Sequence, residues 1–287
     1  MWVASSACGV CHTDLHFLEG LLEPGKIPLT LGHEVAGEIA EAGERVKEFQ
    51  KGDRVVTHFY FTCGDCYYCQ SGSESLCARL TGHMGFTVDG GYAEYVKAPA
   101  RSLSRLPRVI SFDEGGILAD AVSSTFHAVR SVVQVRAGES VVVYGLGGLG
   151  VHAVQIARLC GARVIGVDIV EEKLAMAREL GADDTVNPSK QDVLNEVKGI
   201  TGEGADVVLE FVGLSDTMKN SIACLRRKGR LVFVGYSQDR IPTGAQPLVT
   251  NALQILGSRA SSRYELSKVI SLASRHRIRP VILEDSD

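Results

Sequence analysis

Apolar residues are distributed differently in the two halves of the chain. The second half carries short runs bounded by glycine or acid: Val141–Tyr144, Ala162–Asp168, Asp184–Asn187, Asp206–Gly213, Arg230–Gly235 and Gln254–Ser258. Between them lie stretches of helical period, over Val151–Leu159, Glu171–Gly181 and Gln191–Thr201. Strands alternating with helices predict a doubly wound parallel sheet. In the first half, β-favouring segments around Val35–Ile39, Gly52–Thr57 and Gly90–Val96 predict a β-rich domain with many turns. A helical stretch from Asp113 to Val133 separates the halves. The predicted class is therefore α/β, a β-rich domain joined to a doubly wound sheet.

The first run of the second half ends in Gly145-Leu-Gly147-Gly148-Leu-Gly150, and a helix follows. Strand, glycine turn and helix in this order fit a dinucleotide site. Gly145 permits the tight turn, Gly147 lets the backbone approach a pyrophosphate, and Gly150 allows the helix to pack on the strand. The helix N-terminus offers unpaired N–H groups to the phosphates. The next strand ends in Asp168, near the offset at which an acid binds the adenosine ribose hydroxyls. A carboxylate there repels a 2′-phosphate and predicts NAD rather than NADP.

Charge changes this picture little. With 287 residues, 30 basic and 34 acidic, the net charge of −4 comes without blocks of one sign. That balance gives no footprint for nucleic acid or a membrane surface. The first residues lack the basic segment and apolar core of a secretory leader, and cytoplasm is the expected compartment.

The eight cysteines add chemistry. In a reducing compartment they suit metal binding better than a disulfide framework. Cys63, Cys66, Cys69 and Cys77 follow C-x2-C-x2-C-x7-C, a spacing that suits a closed structural zinc site; iron–sulfur ligation is an alternative. Cys11 and His33 lie in two further segments dense in ligating groups, Cys8–His16 and Gly32–Glu34, and are candidate ligands of a catalytic zinc with one open position. Cys160 and Cys224 fall on helical stretches and read as packing residues.

Gly9-Val-Cys11-His12-Thr13-Asp14-Leu-His16, Gly32-His33-Glu34, the four-cysteine lobe and the glycine cluster occur in this order. Together they resemble zinc-containing members of the medium-chain alcohol dehydrogenase/reductase superfamily over essentially the whole chain. The resemblance implies a GroES-like catalytic domain over residues 1–118 with the structural-zinc lobe at 63–77. It implies a Rossmann NAD-binding domain over 119–258 and a partial return to the catalytic domain over 259–287, with the active site between the two domains. It also implies pieces missing at both ends of the chain. As to activity, it implies an oxidoreductase moving a hydride between an alcohol and NAD, with two zincs per chain, acting on a small molecule, and a homodimer or homotetramer.

The resemblance also implies roles. Thr13 takes the proton of the alcohol and passes it toward His16; Asp14 orients His33; His12 meets the pyrophosphate; Lys173 lies near the adenosine ribose. Where the superfamily usually has a third cysteine ligand, this chain has Asp120, whose oxygen also binds zinc; Glu34 is the alternative. His58 and the Ser123–Phe126 region are expected to wall the substrate pocket. Two other readings stay open: a carbon–carbon double-bond reductase of the enoyl or acyl-CoA type that uses zinc only structurally, and a non-catalytic nucleotide-binding fragment.

Overall fold

The computed structural model describes residues 1–283; the end of the expected return segment, 284–287, lies outside the described residues. The chain divides into two compact units, Met1–Ser123 with the segment from Ala260 on, and Ser124–Arg259.

The first unit is built on strands β1 (Trp2–Gly9), β2 (Glu34–Glu41), β3 (Arg54–Thr57), β4 (Tyr60–Phe61), β5 (Gly82–His83), β6 (Tyr95–Lys97) and β7 (Leu103–Arg105). Five form an antiparallel sheet in the order β6-β1-β2-β3-β7, and β4 pairs with β5. The pattern did not announce β1, whose Ala-Ser-Ser-Ala centre lacks strong alternation. Tertiary pairing makes it a strand. Val3 lies opposite Ile39 on one side and Val96 on the other, and all three enter a core with Val35, Val55 and Phe59. Burial of each such side chain contributes about 1.5–3 kcal/mol. Conversely, the expected strand at 90–96 shortens to β6, because residues 90–92 run beside 30–32 instead.

The register of β1 on β2 sets Gly9 opposite Glu34, so the segments after β1 and before β2 meet. The helix His12–Leu18 starts at once, with Cys11 as its N-cap; the Asp14 carboxylate accepts the Cys11 N–H at 3.0 Å and closes a capping box. A second helix, Phe112–Ile117, starts at Ser111, whose hydroxyl accepts the Glu114 N–H. It then loosens into a π-helical turn over Leu118–Val122. Two glycines let this helix lie on the sheet: a Cβ on Gly115 would stand 3.0 Å from the Ala36 Cβ, and one on Gly116 3.0 Å from the Glu34 carbonyl oxygen. Asp120 thus belongs with Met1–Ser123, whereas a division after residue 118 assigned it to the nucleotide-binding part. The returning helix Arg263–Ser274 buries Leu266, Val269, Ile270 and Ala273, and Arg263 grips the buried Glu74 of the cysteine lobe at 2.7 Å.

The second unit has six strands: β8 (Ser140–Tyr144), β9 (Arg163–Val167), β10 (Asp184–Val186), β11 (Ala205–Glu210), β12 (Leu225–Phe233) and β13 (Gln254–Gly257). All pair in parallel in the order β10-β9-β8-β11-β12-β13. Helices cover both faces, so Val141, Val142 and Val143 are all fully buried, which explains runs without polar alternation. The order reverses at β8, and a ligand site is expected at the carboxyl ends of the strands there. Cys160 and Cys224 each follow the last turn of a helix; Cys224 is fully buried and Cys160 partly exposed.

Candidate active site and metal centres

The four-cysteine lobe converges. Cys66 Sγ lies 3.5 Å from Cys69 Sγ and 3.9 Å from Cys77 Sγ, while Cys63 Sγ lies 3.6 Å from Cys77 Sγ and 3.9 Å from Cys69 Sγ. Sulfurs at about 2.3 Å from a tetrahedral zinc stand about 3.8 Å apart. The cage is therefore one ion wide and too narrow for a multi-iron cluster. The backbone N–H groups of Cys69 and Ala78 hold the Cys66 thiol down to about 6, toward the thiolate that a metal requires.

The second cluster gathers Cys11, His33, Glu34 and Asp120, whose ligand atoms all lie within 4.8 Å of one another. His33 Nε2 stands 3.4 Å from Asp120 Oδ2, close to the edge of about 3.3 Å expected for oxygen and nitrogen on one tetrahedral zinc. The π-turn in the Phe112–Val122 segment delivers Asp120 to this point; π-turns inside helices often mark functional sites. Burial alone would lower the His33 pKa, yet Asp120 and Cys11 beside it raise it well above the ordinary histidine value. Burial and the Asp120 charge push the fully buried Glu34 carboxyl up to about 8. Two carboxyl groups and a thiol around one imidazole form a donor set that suits a divalent cation. Two buried atoms behind it, Asp14 Oδ1 and His33 Nδ1, have no hydrogen-bond partner and lie 3.9 Å apart. The residues thus fit a bound zinc.

Thr13 and His16 occupy one face of the His12–Leu18 helix, three residues apart. Thr13 Oγ1 lies 3.5 Å from Cys11 Sγ. His16 is buried, and burial followed by its neighbour His12, 4.9 Å away edge to face, lowers its pKa. His12 itself is exposed. His58 does not line an open pocket. It is fully buried, with Nδ1 3.3 Å from the Tyr60 carbonyl and Nε2 3.0 Å from that of Ser261. Ser123 is also fully buried, its Oγ joined to Ser261 Oγ at 2.8 Å.

In the second unit the glycine cluster takes the expected shape. Gly145 has φ +90°, and a Cβ on Gly150 would stand 1.8 Å from the Gly145 carbonyl oxygen, so neither tolerates a side chain. Gly147 and Gly148 face open space. Asp168 Oδ2 accepts the Leu146 N–H at 2.8 Å and Oδ1 the Val170 N–H at 3.0 Å, which holds the carboxylate beside the loop. Lys173 is half-buried on the helix after it. Inspection of the sequence missed Glu210, which ends β11 fully buried, accepts the N–H groups of Val212 and Gly213 and binds the Thr217 hydroxyl at 2.7 Å. It also missed Tyr92, whose hydroxyl donates to Asp14 Oδ2 at 2.8 Å; the preceding Gly90-Gly91 pair was the signal of a close approach.

Residues 1–108 match the alcohol dehydrogenase GroES-like domain, and residues 148–275 match the zinc-binding dehydrogenase family. The chain belongs to the zinc-containing medium-chain dehydrogenase/reductase superfamily. An alcohol dehydrogenase of Geobacillus stearothermophilus is 38% identical over 283 residues, covering 98% of this chain and 83% of that protein. An NAD-dependent alcohol dehydrogenase of Sulfurisphaera tokodaii is 36% identical over 287 residues, covering 96% of this chain and 82% of the relative. Among solved structures, the alcohol dehydrogenase of Aeropyrum pernix superposes with a TM-score of 0.90 at 36% identity, over 97% of this chain and 83% of that one. Membership of this superfamily accounts for both the antiparallel unit and the six-stranded parallel sheet. Among the described residues, no helix is long and apolar enough to cross a membrane.

Proposed function

We propose that this superfamily member is a zinc-dependent oxidoreductase that moves a hydride between an alcohol and NAD, interconverting the alcohol with an aldehyde or ketone. The observation that carries the reading is the meeting of Cys11, His33 and Asp120, with Cys11 the N-cap of the helix that bears Thr13 and His16. Zinc supplies a Lewis acid that polarises the substrate oxygen, and NAD supplies the hydride acceptor.

The chain's own residues do the rest. Cys11, His33 and Asp120 would hold the catalytic ion, with Glu34 in the same cluster as the alternative ligand, and the four cysteines would hold the structural one. Thr13 Oγ1 accepts the hydroxyl proton of the alcohol and passes its own toward His16. Burial, followed by His12, lowers the His16 pKa, which favours the neutral imidazole that can receive that proton. Asp14 orients His33. The backbone of the glycine turn receives the pyrophosphate, and the pyrophosphate role of His12 rests on the superfamily alone; Asp168 and Lys173 face the adenosine ribose, and the Asp168 charge disfavours a 2′-phosphate. The close pairing of Asp120 with His33 speaks against a reductase in which zinc is only structural, and the convergence of both ligand sets speaks against a non-catalytic fragment. Eight free cysteines suit a reducing cytoplasm, and the reading as a homodimer or homotetramer rests on the superfamily alone.

The test is alcohol-dependent formation of reduced NAD over a panel of primary and secondary alcohols, with the reverse reaction on the matching carbonyls. The reading expects turnover that chelator removes and zinc restores. Turnover that survives complete loss of the catalytic ion, or reduction confined to activated carbon–carbon double bonds, would overturn it.

A further inference from the structure

The Gly90-Gly91-Tyr92 segment runs against Thr30-Leu31-Gly32, the residues that lead into His33. Gly90 N–H donates to Thr30 O at 2.8 Å, Gly91 N–H to Gly32 O at 2.8 Å, and Tyr92 N–H to Leu31 O at 3.1 Å. Only glycines allow this approach: a Cβ on Gly90 would stand 2.1 Å from Gly32 O, and one on Gly91 2.1 Å from Val35 Cγ2. The Tyr92 ring packs over Gly32, 2.7 Å from where a Cβ would lie, and Gly32 has φ +93°. From there the Tyr92 hydroxyl reaches the Cys11 segment. It donates to Asp14 Oδ2 at 2.8 Å, with the Gly9 carbonyl oxygen 3.2 Å away. One side chain thus touches both segments that supply Cys11 and His33.

Asp14 is the point of convergence. Its Oδ2 accepts two donors, the Tyr92 hydroxyl and the Cys11 N–H at 3.0 Å. Its Oδ1 accepts none; it is buried and faces His33 Nδ1, equally buried and without a partner, at 3.9 Å. The other nitrogen of that ring, Nε2, faces Asp120. An imidazole that presents Nε2 to a metal carries its proton on Nδ1 and needs an acceptor there. A shift of about 1 Å would bring the Nδ1···Oδ1 pair to hydrogen-bond distance. What keeps Oδ1 aimed at the ring is the anchoring of Oδ2, and without the tyrosine hydroxyl a single N–H would remain, about which the carboxylate can turn.

We propose that the Tyr92 hydroxyl is a positioning group for the catalytic metal site, acting through the Asp14 carboxylate to fix His33. The inference rests on the reading that Cys11, His33 and Asp120 hold zinc.

Release of zinc to a chromophoric chelator tests it, measured on the intact protein, Tyr92→Phe, Asp14→Asn and the double variant. Two zincs in the intact protein are expected. In Tyr92→Phe one zinc should leave about tenfold faster, at the lower end of what loss of an outer hydrogen bond costs a metal site, while the four-cysteine zinc leaves at its original rate. In the Asp14→Asn background the Tyr92→Phe change should add nothing, because the group it acts through is gone. Unchanged release in Tyr92→Phe, or equal acceleration in both backgrounds, would overturn the inference while leaving the zinc reading intact. Loss of both zincs together in Tyr92→Phe would assign the residue to packing and overturn it as well. A single zinc in the intact protein would remove the zinc reading itself.

Discussion

Asp168 is the residue on which cofactor choice turns, and its two oxygens allow the effect of charge to be separated from that of structure. Oδ2 holds the N–H of Leu146, a residue with no exposed surface, and Oδ1 holds that of Val170. Asp168→Ala leaves the Leu146 N–H without its acceptor, which costs about 1–3 kcal/mol. For a chain of this size the melting temperature should fall by about 2–4 °C per kcal/mol. Asp168→Asn keeps a carbonyl oxygen for that N–H and loses the charge together with the acceptor of the half-buried Val170 N–H, so more of the stability should remain than in Asp168→Ala. Binding should respond differently. A hydrogen bond from a ribose hydroxyl to a carboxylate contributes about 1.5–3 kcal/mol, and about 1.4 kcal/mol is a factor of ten, so loss of one such bond should weaken NAD binding about 10- to 100-fold in both variants. NADP escapes a repulsion of about 1–3 kcal/mol between two like charges near a protein surface, so its affinity should hold or rise. Calorimetric titration with each nucleotide, beside a thermal melt, reads all of these. An unchanged NAD/NADP ratio in a well-folded Asp168→Asn protein would refute the reasoning.

Further outcomes follow from the same geometry. Cys66→Ser breaks a four-sulfur cage that staples a loop poor in apolar contacts, so it should lower the melting temperature and expose residues 63–77 to protease; a stable variant lacking only activity would contradict the structural role. His152 is fully buried and its burial lowers its pKa to about 4, so the unfolded chain takes up its proton near pH 6.5 while the folded chain refuses it. Its contribution is complete above that pH, and on the order of 3 kcal/mol should be lost as pH falls toward 4. Denaturant unfolding of the parent and His152→Asn across this range checks the sign: the variant should show a shallower acid loss, and identical slopes would refute it.

The sequence made the second unit legible because a sheet covered on both faces writes itself as unbroken Val-Ile-Leu runs, and because glycine positions there are dictated by contact within a few residues. Gly150 against Gly145 is such a local constraint. The first unit was harder to read. β1 has too little alternation to stand out and owes its strand to β2 and β6, far along the chain. The His12–Leu18 helix is only 7 residues long and is fixed by a cap rather than by period. The ligand types of the catalytic cluster could be read from motifs, but the delivery of Asp120 depends on a π-turn and on two glycines packed against β2. His58 looked suited to a pocket wall until the returning segment enclosed it, through a contact spanning 203 residues. Tyr92 reaches Asp14 across 78 residues, a relation that no local pattern encodes.

The most direct test of the account is the number of zinc ions per folded chain, measured by elemental analysis on protein purified without chelator, beside the same count for Asp120→Ala. The geometry predicts two in the parent and one in the variant, with the four-cysteine ion retained. One ion in the parent, or two in both proteins, would contradict the assignment of Cys11, His33 and Asp120 as the catalytic metal site.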